Sequence, residues 1–335
     1  MKERLTASMQ TCFLSCMRRY YYRYELCLQH TSESAALRFG SAWHKAMECR
    51  WNRKTGEEAL AAALAERQNI DELQVAMLTG MLIGYYRAYE NDPIEEMIAE
   101  QEFELSIAHS RSFVSAGKID GIGRLKDGHF ALIEHKTTAD SLDDNSDYWL
   151  TLRFNTQILQ YVSAARACGI PIEVIFYDVA HKPAIRPKDV PMLDENGAKV
   201  VVDANSQRVF NKNGEPRQSA GEGMTLMTRL ETMDEYTDRL TADVCARPTF
   251  YFARREVPVL DNDLEEFEMQ RLAIARHLLY LRNKSSYQAW PRNCSPRNCS
   301  ACEYKGFCLQ NIMVDTANPP AGFVIGEKNP ELAVN

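Results

Sequence analysis

The chain has 335 residues, 45% hydrophobic and 25% charged, which is ordinary globular usage with ample material for a large core. A formal net charge of −7 announces no polyanionic partner, so any nucleic-acid contact has to come from local basic patches. No stretch is apolar for the roughly 18 residues a membrane span needs, and Met1-Lys2-Glu3-Arg4-Leu5 leads into no apolar signal region, so the reading is a cytoplasmic protein without membrane contact.

Residues 1–30 read as a helix rich in aromatics and arginine, centred on Cys16-Met17-Arg18-Arg19-Tyr20-Tyr21-Tyr22-Arg23-Tyr24. Residues 40–100 carry helical spacing (Trp43, Met47, Trp51, then Leu78, Met81, Leu82, Tyr85) until Asp92-Pro93 breaks it. Glu102-Phe103-Glu104-Leu105-Ser106-Ile107 then alternates as a half-buried strand does. Strand-like runs follow at 112–125 and 129–137, joined by the turn Lys126-Asp127-Gly128. Residues 155–168 read as a helix that Gly169 ends, with Pro171 just beyond, and 172–179 as an apolar, β-branched strand. The order strand–strand–helix–strand predicts an α/β core.

Residues 181–225 read as an insertion, a hairpin or long loop with Asn196-Gly197 and Asn213-Gly214 turns around Val200-Val201-Val202. Helices are predicted at 226–247 and 261–284, and a loosely ordered tail after Asp315. No internal repeat stands out. The segmentation is an N-terminal helix (1–30), a core (31–180), the insertion (181–225), a helical region holding cysteines (226–311) and the tail (312–335).

Chemistry gathers on the hairpin Gly117-Lys118-Ile119-Asp120 … Ile133-Glu134-His135-Lys136-Thr137. If 126–128 is the loop, with Gly128 left-handed, Leu125 pairs with His129 and Asp120 falls opposite Glu134. Opposed residues share a face, and Lys136, two beyond Glu134, shares it too. Two converging carboxylates repel unless a cation sits between them, and hard oxygens suit Mg²⁺ or Mn²⁺. Such an ion activates water and clamps a phosphate oxygen, while a lysine offsets transition-state charge. The bland reading is a charged face on an exposed hairpin. Gly117, Gly121 and Gly123 lie inside the strand pair and do not form a phosphate loop, and no helicase motif accompanies them.

Cys294, Cys299, Cys302 and Cys308, read alone, suggest a Cys₄ zinc site, since disulfides are rare in the cytosol. Cys49, Cys168 and Cys245 read as small buried apolar residues.

The hairpin pattern resembles the PD-(D/E)XK nucleases, the RecB-like branch in particular. That family sets an Asp on one strand and (Asp/Glu)-x-Lys on the next, as at Asp120 and Glu134-His135-Lys136. Its preceding helix carries Gly-x-x-x-His-x-x-x-Glu, matched by Gly40, His44 and Glu48, and a later helix carries Gln-x-x-x-Tyr, matched by Gln157 and Tyr161. The resemblance implies His44, Asp120, Glu134 and the His135 backbone carbonyl as metal ligands, and Lys136 as the catalytic lysine. Gln157 and Tyr161 would hold the catalytic face and the DNA strand. The cysteines resemble those of the cluster-bearing members, the CRISPR-associated exonucleases and the AddB nuclease domain. In these, one N-terminal and three C-terminal cysteines hold a [4Fe–4S] cluster. Here Cys16, Cys299, Cys302 and Cys308 match, with Cys294 surplus, Cys12 and Cys27 as alternatives near Cys16, and structural zinc as the other metal.

The implied fold is a restriction-endonuclease-like core, a mixed central sheet flanked by helices, with a helical iron–sulfur region formed from both chain ends. The implied activity is hydrolysis of DNA with Mg²⁺ or Mn²⁺, as an exonuclease on single-stranded or end-containing DNA in recombination, repair or phage replication. Any helicase or recombination partner would be a separate chain. Arg18, Arg19 and Arg23 would contact phosphates and Tyr20 to Tyr22 would stack on unpaired bases; the alternative packs the tyrosines against the cluster region and leaves the arginines solvated. The competing functions are a structure-specific endonuclease and a non-catalytic DNA- or protein-binding adaptor with a zinc module.

Overall fold

The computed structural model describes residues 2–66, 70–92, 94–143, 146–258, 260–284 and 286–332; Pro93 of the expected helix break lies outside them. The N-terminal elements are β1 (Glu3–Leu5), α1 (Ala7–Ser15) and α2 (Met17–Tyr20), then a π-helical turn Tyr21–Glu25 and β2 (Leu28–His30). Helices α3 (Ala35–Trp51), α4 (Gly56–Glu66) and α5 (Glu72–Ala88) follow. Next come β3 (Ile94–Ser106), β4 (Phe113–Leu125), β5 (Phe130–Thr138), α6 (Asp147–Leu152), α7 (Thr156–Ala167) and β6 (Ile172–His181). Short strands β7 (Asp189–Pro191), β8 (Val201–Asp203), β9 (Met224–Leu226) and β10 (Thr228–Leu230) precede α8 (Met233–Ala246) and α9 (Pro248–Tyr251). Then follow β11 (Phe252–Pro258), α10 (Asp261–Asn283), α11 (Pro296–Ser300), α12 (Lys305–Leu309) and β12 (Phe323–Ile325).

Two compact units result. One comprises Met1–Arg67, Asn91–His181 and Phe252–Asn335, the other Gln68–Glu90 and Lys182–Tyr251. This cuts across the linear segmentation, because α5, far ahead of the insertion in sequence, packs with α8. Gly80 lets those helices approach: a Cβ there would stand 3.1 Å from the Thr241 hydroxyl and 3.3 Å from the Leu240 side chain.

The first unit is built on a mixed sheet ordered β1-β4-β5-β6-β11, with β3 also on β4. β4–β5, β3–β4 and β6–β11 are antiparallel, and β5–β6 and β1–β4 are parallel. Strand β3 takes one edge of β4 from Val114 to Leu125. The other edge is shared: β1 pairs with Phe113–Ser115 and β5 with Gly121–Arg124. Residues 116–120 therefore face a gap in the ladder between β1 and β5. The hairpin register is the expected one, with Gly121 opposite Ile133, the Leu125 amide donating to the His129 carbonyl, and Gly128 at φ 92°.

Alternation along the strands divides the core. Ile122 and Leu132 face a cluster with Ile158, Tyr161, Val162 and Ala165 of α7, while Leu125, Ala131 and Ile133 pack on the opposite side with Ile94 and Phe176. Helix α7 begins where the Asn155 side chain accepts the Gln157 amide, and is followed by Gly169 at φ 83°, as the sequence predicts.

Several expectations need correction. The N-terminal segment is not one helix: Cys16 is extended (φ −164°) between α1 and α2. Within the described part of the tail, residues 323–325 are tied down: β12 pairs antiparallel with β2 and Phe323 stacks on Tyr304, an apolar anchor that a segment without periodicity conceals. Residues 226–232 contain strand, and α8 begins only at the capping box of Thr232 and Glu235.

The insertion also contains a repeat. Asp194, Asp203 and Asn211 each open an identical turn, accepting on their side-chain oxygen the amides two and four residues on. The fourth residue of each turn, Gly197, Ser206 and Gly214, has φ between 62° and 78°. Only the short Asx-x-Asn-(Gly/Ser) pattern recurs, so the repeat is faint in sequence.

Candidate active site

The gap in the ladder is where the polar residues meet. β4 and β5 have parted by Asp120, whose carboxylate instead accepts the His135 amide at 3.1 Å. His44, from α3, brings Nδ1 to 3.3 Å from the same Asp120 oxygen. Glu134 is fully buried; Lys136 donates to its Oε1, while Oε2 has no hydrogen-bond partner. Lys136 also donates to Gln157 Oε1 at 2.8 Å, and Gln157 Nε2 donates to the Tyr161 hydroxyl at 3.0 Å. Six side chains from α3, β4, β5 and α7 thus meet here in two groups, His44 with Asp120 and Glu134 with Lys136, Gln157 and Tyr161, joined through the His135 backbone, and Tyr161 anchors the second group in the core.

Electrostatics separate the two carboxyls. Burial opposes the charge of Asp120, but His44 and then His135 and Lys136 outweigh it and hold the pKa at about 2. Burial and then the neighbouring Asp120 push Glu134 up to about 7. Burial works against the Lys136 ammonium, yet Glu134 and Asp120 raise its pKa above the usual lysine value. His44 is likewise desolvated, and Asp120 more than restores its affinity for a proton.

Among the described residues, no three His, Cys, Asp or Glu side chains are drawn together tightly enough to hold a metal ion. The donor chemistry nevertheless fits one. Glu134 presents a buried carboxylate oxygen without a partner, beside a second carboxylate and an imidazole. Like charges that close are relieved by a cation, and hard oxygen donors suit Mg²⁺ or Mn²⁺. A cavity of about 180 Å³ adjoins the site, lined by Asp120, Gln157, Tyr161, Lys118 and Leu332 of the tail among others.

A second cavity, of about 230 Å³, lies between the chain ends. Cys16, Cys294, Cys299, Cys302 and Cys308 all line it, with Arg19, Arg292, Arg297 and Lys305. Cys12 and Cys27 are not among the lining residues. The break at Cys16 that interrupts the N-terminal helix thus belongs to the residue that reaches this cavity.

Two of the four expected nucleic-acid residues are turned inward. Arg18 is buried, donating to the Trp290 carbonyl at 2.9 Å, and Tyr20 is fully buried, stacked on Trp290 at 5.8 Å. Neither can meet a phosphate or a base in this conformation; Tyr20 follows the packing alternative, while Arg18 is buried where that alternative leaves it solvated. Arg19 pairs with Glu303 at 3.1 Å, and Arg23 lies over the Tyr24 ring at 5.3 Å.

Sequence reasoning missed the residues behind β5. Trp51 Nε1 donates to His135 Nε2 at 2.9 Å, and His135 Nδ1 faces Asp178 at 3.4 Å. Two signals were available: Trp51 lies seven residues after His44, on the same helical face, and Asp178 is a lone charge in the apolar half of its strand.

A mixed sheet flanked by helices, with two carboxyls and a lysine at a break in its ladder, is the restriction-endonuclease-like arrangement. The chain belongs to the PD-(D/E)XK nuclease superfamily, whose family model matches residues 4–309. A solved structure, SSO0001, is similar over 93% of this chain and 89% of its own at 9% identity, with a TM-score of 0.37, too slight a likeness to argue from. No curated protein matches the chain. Among the described residues, no helix is long and apolar enough to cross a membrane.

Proposed function

We propose that this chain hydrolyses phosphodiester bonds in DNA, with Mg²⁺ or Mn²⁺ held by His44, Asp120, Glu134 and the His135 carbonyl, acting as an exonuclease on single-stranded or end-containing DNA. The observation that carries this is the orphaned, buried Glu134 oxygen beside Asp120 and His44, with Lys136 pinned alongside by Gln157. When bound, the ion lowers the pKa of its water and polarises a phosphate oxygen. Asp120, kept ionised, supplies a standing negative donor. Lys136, kept protonated, offsets charge building on the phosphate, and Gln157 and Tyr161 hold its ammonium in place. A network fixed before substrate arrives needs no reorganisation at the moment of reaction.

We further place the protein in the RecB-like branch, with a [4Fe–4S] cluster held by Cys16, Cys299, Cys302 and Cys308. The supporting observation is that these four line one cavity whose basic rim, Arg19, Arg292, Arg297 and Lys305, suits an anionic thiolate cluster. Cys294, also on that lining, is the fifth thiol. The work served is recombination, repair or phage replication, with any helicase on a separate chain.

Degradation of linear and closed circular DNA, with and without Mn²⁺, tests the reading. Linear substrate should be consumed and circles spared, and Lys136→Ala should slow the reaction by about 10²–10³-fold. Cutting of circles points to an endonuclease, and undiminished cutting by Lys136→Ala removes Lys136 from the active site. Protein purified without air should contain iron and acid-labile sulfide in equal amounts; stoichiometric zinc without sulfide replaces the cluster by a zinc module.

A further inference from the structure

Behind the catalytic strand lies a closed ring of polar contacts that begins and ends on adjacent residues of α3. Arg50 pairs with Asp92 at 3.1 Å, and Arg254 of β11 pairs with the same carboxylate at 2.8 Å. Arg254 also pairs with Asp178 of β6 at 3.2 Å, and Asp178 faces His135 Nδ1 at 3.4 Å. Trp51 closes the ring with its 2.9 Å bond to His135 Nε2. Asp178 and His135 are only 2% exposed, and two arginines balance two aspartates.

The ring is a poor investment for stability alone. Desolvating ion pairs offsets most of their attraction, and apolar replacements of like volume do as well or better. Its geometry suggests another use. Indole N–H can only donate, so His135 Nε2 is the acceptor and the proton of the neutral ring sits on Nδ1, which faces Asp178 at 3.4 Å as a charge contact and not as a hydrogen bond. The imidazole is therefore fixed in one tautomer and one orientation. The same residue gives its amide to Asp120 and lies between Glu134 and Lys136. On the other partner, Trp51 lies two helical turns from His44, so fixing Trp51 fixes the roll of α3 and the place of His44 against Asp120.

We propose that Trp51 and His135 are positioning residues: the ring they close sets His44 against Asp120 and so determines how tightly the site takes a divalent metal. The proposal rests on the metal-dependent reading of the site given above. Groups behind metal ligands commonly act this way, and their loss weakens metal binding by about 10–100-fold.

The test is titration of the full chain with Mn²⁺ alone, following the electron-paramagnetic-resonance signal of the free ion, alongside thermal unfolding. Asp120→Ala and His44→Ala identify the site, and either should abolish its binding. Trp51→Phe keeps the ring volume but removes the donor; it should weaken Mn²⁺ by about tenfold with little change in Tm. His135→Gln, which retains an acceptor for Trp51, should bind close to the parent, and His135→Leu as weakly as Trp51→Phe. Parent-like Mn²⁺ affinity in Trp51→Phe overturns the proposal. So does equal loss in the Gln and Leu variants at 135, the comparison that decides if Trp51→Phe does not fold. Unaltered binding in Asp120→Ala is a different result: it refutes the metal site itself, whatever Trp51 does.

Discussion

Glu134 shows how one residue can be both unfavourable and useful. A fully buried carboxylate oxygen with no donor is costly to leave unpaired, on the order of 1–3 kcal/mol or more when charged. Burial and Asp120 together make its carboxyl hold a proton up to about pH 7. A divalent ion must displace that proton. Mn²⁺ affinity should therefore fall by at least about tenfold per pH unit as pH drops below about 7, because protonated Glu134 then predominates and His44, whose proton affinity Asp120 raises, adds a second competing proton. Metal titrations across that range check this, and Glu134→Gln should bind weakly with a flatter pH dependence. Parent binding that does not change with pH would show that Glu134 is not a ligand.

At the scale of the element, β4 carries the design. Its far edge is handed from β1 to β5, and the unpaired stretch between them is where Asp120 stands. Gln160 of α7 reaches into this stretch, donating to the Ala116 carbonyl at 2.8 Å, so the open backbone is partly satisfied. Gly117 lets α7 and β3 close in: a Cβ there would lie 2.9 Å from the Phe103 ring and 3.1 Å from the Tyr161 ring. Gly117→Ala should therefore destabilise by about 1–3 kcal/mol through overpacking. Since Tyr161 anchors Gln157, activity should drop further than stability alone explains. Denaturant unfolding measured beside turnover separates the two losses.

At the scale of the whole molecule, a group of four charges ties distant parts of the first unit together. Arg282 at the end of α10 binds both Glu3 of β1, at 2.7 Å, and Glu25 of the π-helical turn, at 2.6 Å. Lys328 of the tail joins Glu3 at 2.6 Å. Burial alone would raise the Glu3 pKa, but hydrogen bonds from Arg282 and Lys328 draw it below 4.5. A depressed carboxyl stabilises the folded chain fully above its unfolded value and loses that contribution as pH falls through the folded one. Acid should thus loosen the terminal region at pH values below about 4.5, and Glu3→Gln should remove this part of the pH dependence. Arg282→Ala should lower stability at neutral pH by about 1–3 kcal/mol, leaving Lys328 as the one cation of the group between Glu3 and Glu25. Thermal unfolding of the three proteins against pH is the check.

Local pattern sufficed wherever a signal repeats at short range. The period-two runs, the Gly128 turn and the Asn155–Gly169 helix were legible, because strand alternation, positive φ and capping are local rules. Hairpin register followed from the turn as far as Gly121 opposite Ile133; the next pair, Asp120 with Glu134, is not formed because the strands part there and the Asp120 carboxylate takes the His135 amide. His44, Gln157 and Tyr161 were read from a family resemblance, since nothing local to them announces a site. The tertiary structure alone decided what depends on long-range closure: the β1–β5 gap, the pairing of the tail with β2, the union of α5 with the insertion, and the cavity that gathers cysteines from both chain ends. It also turned Arg18 and Tyr20 inward, because a run of basic and aromatic residues has the same composition whether it faces solvent or a core. Contacts between residues hundreds of positions apart leave no periodicity in either segment, so only the folded chain specifies them.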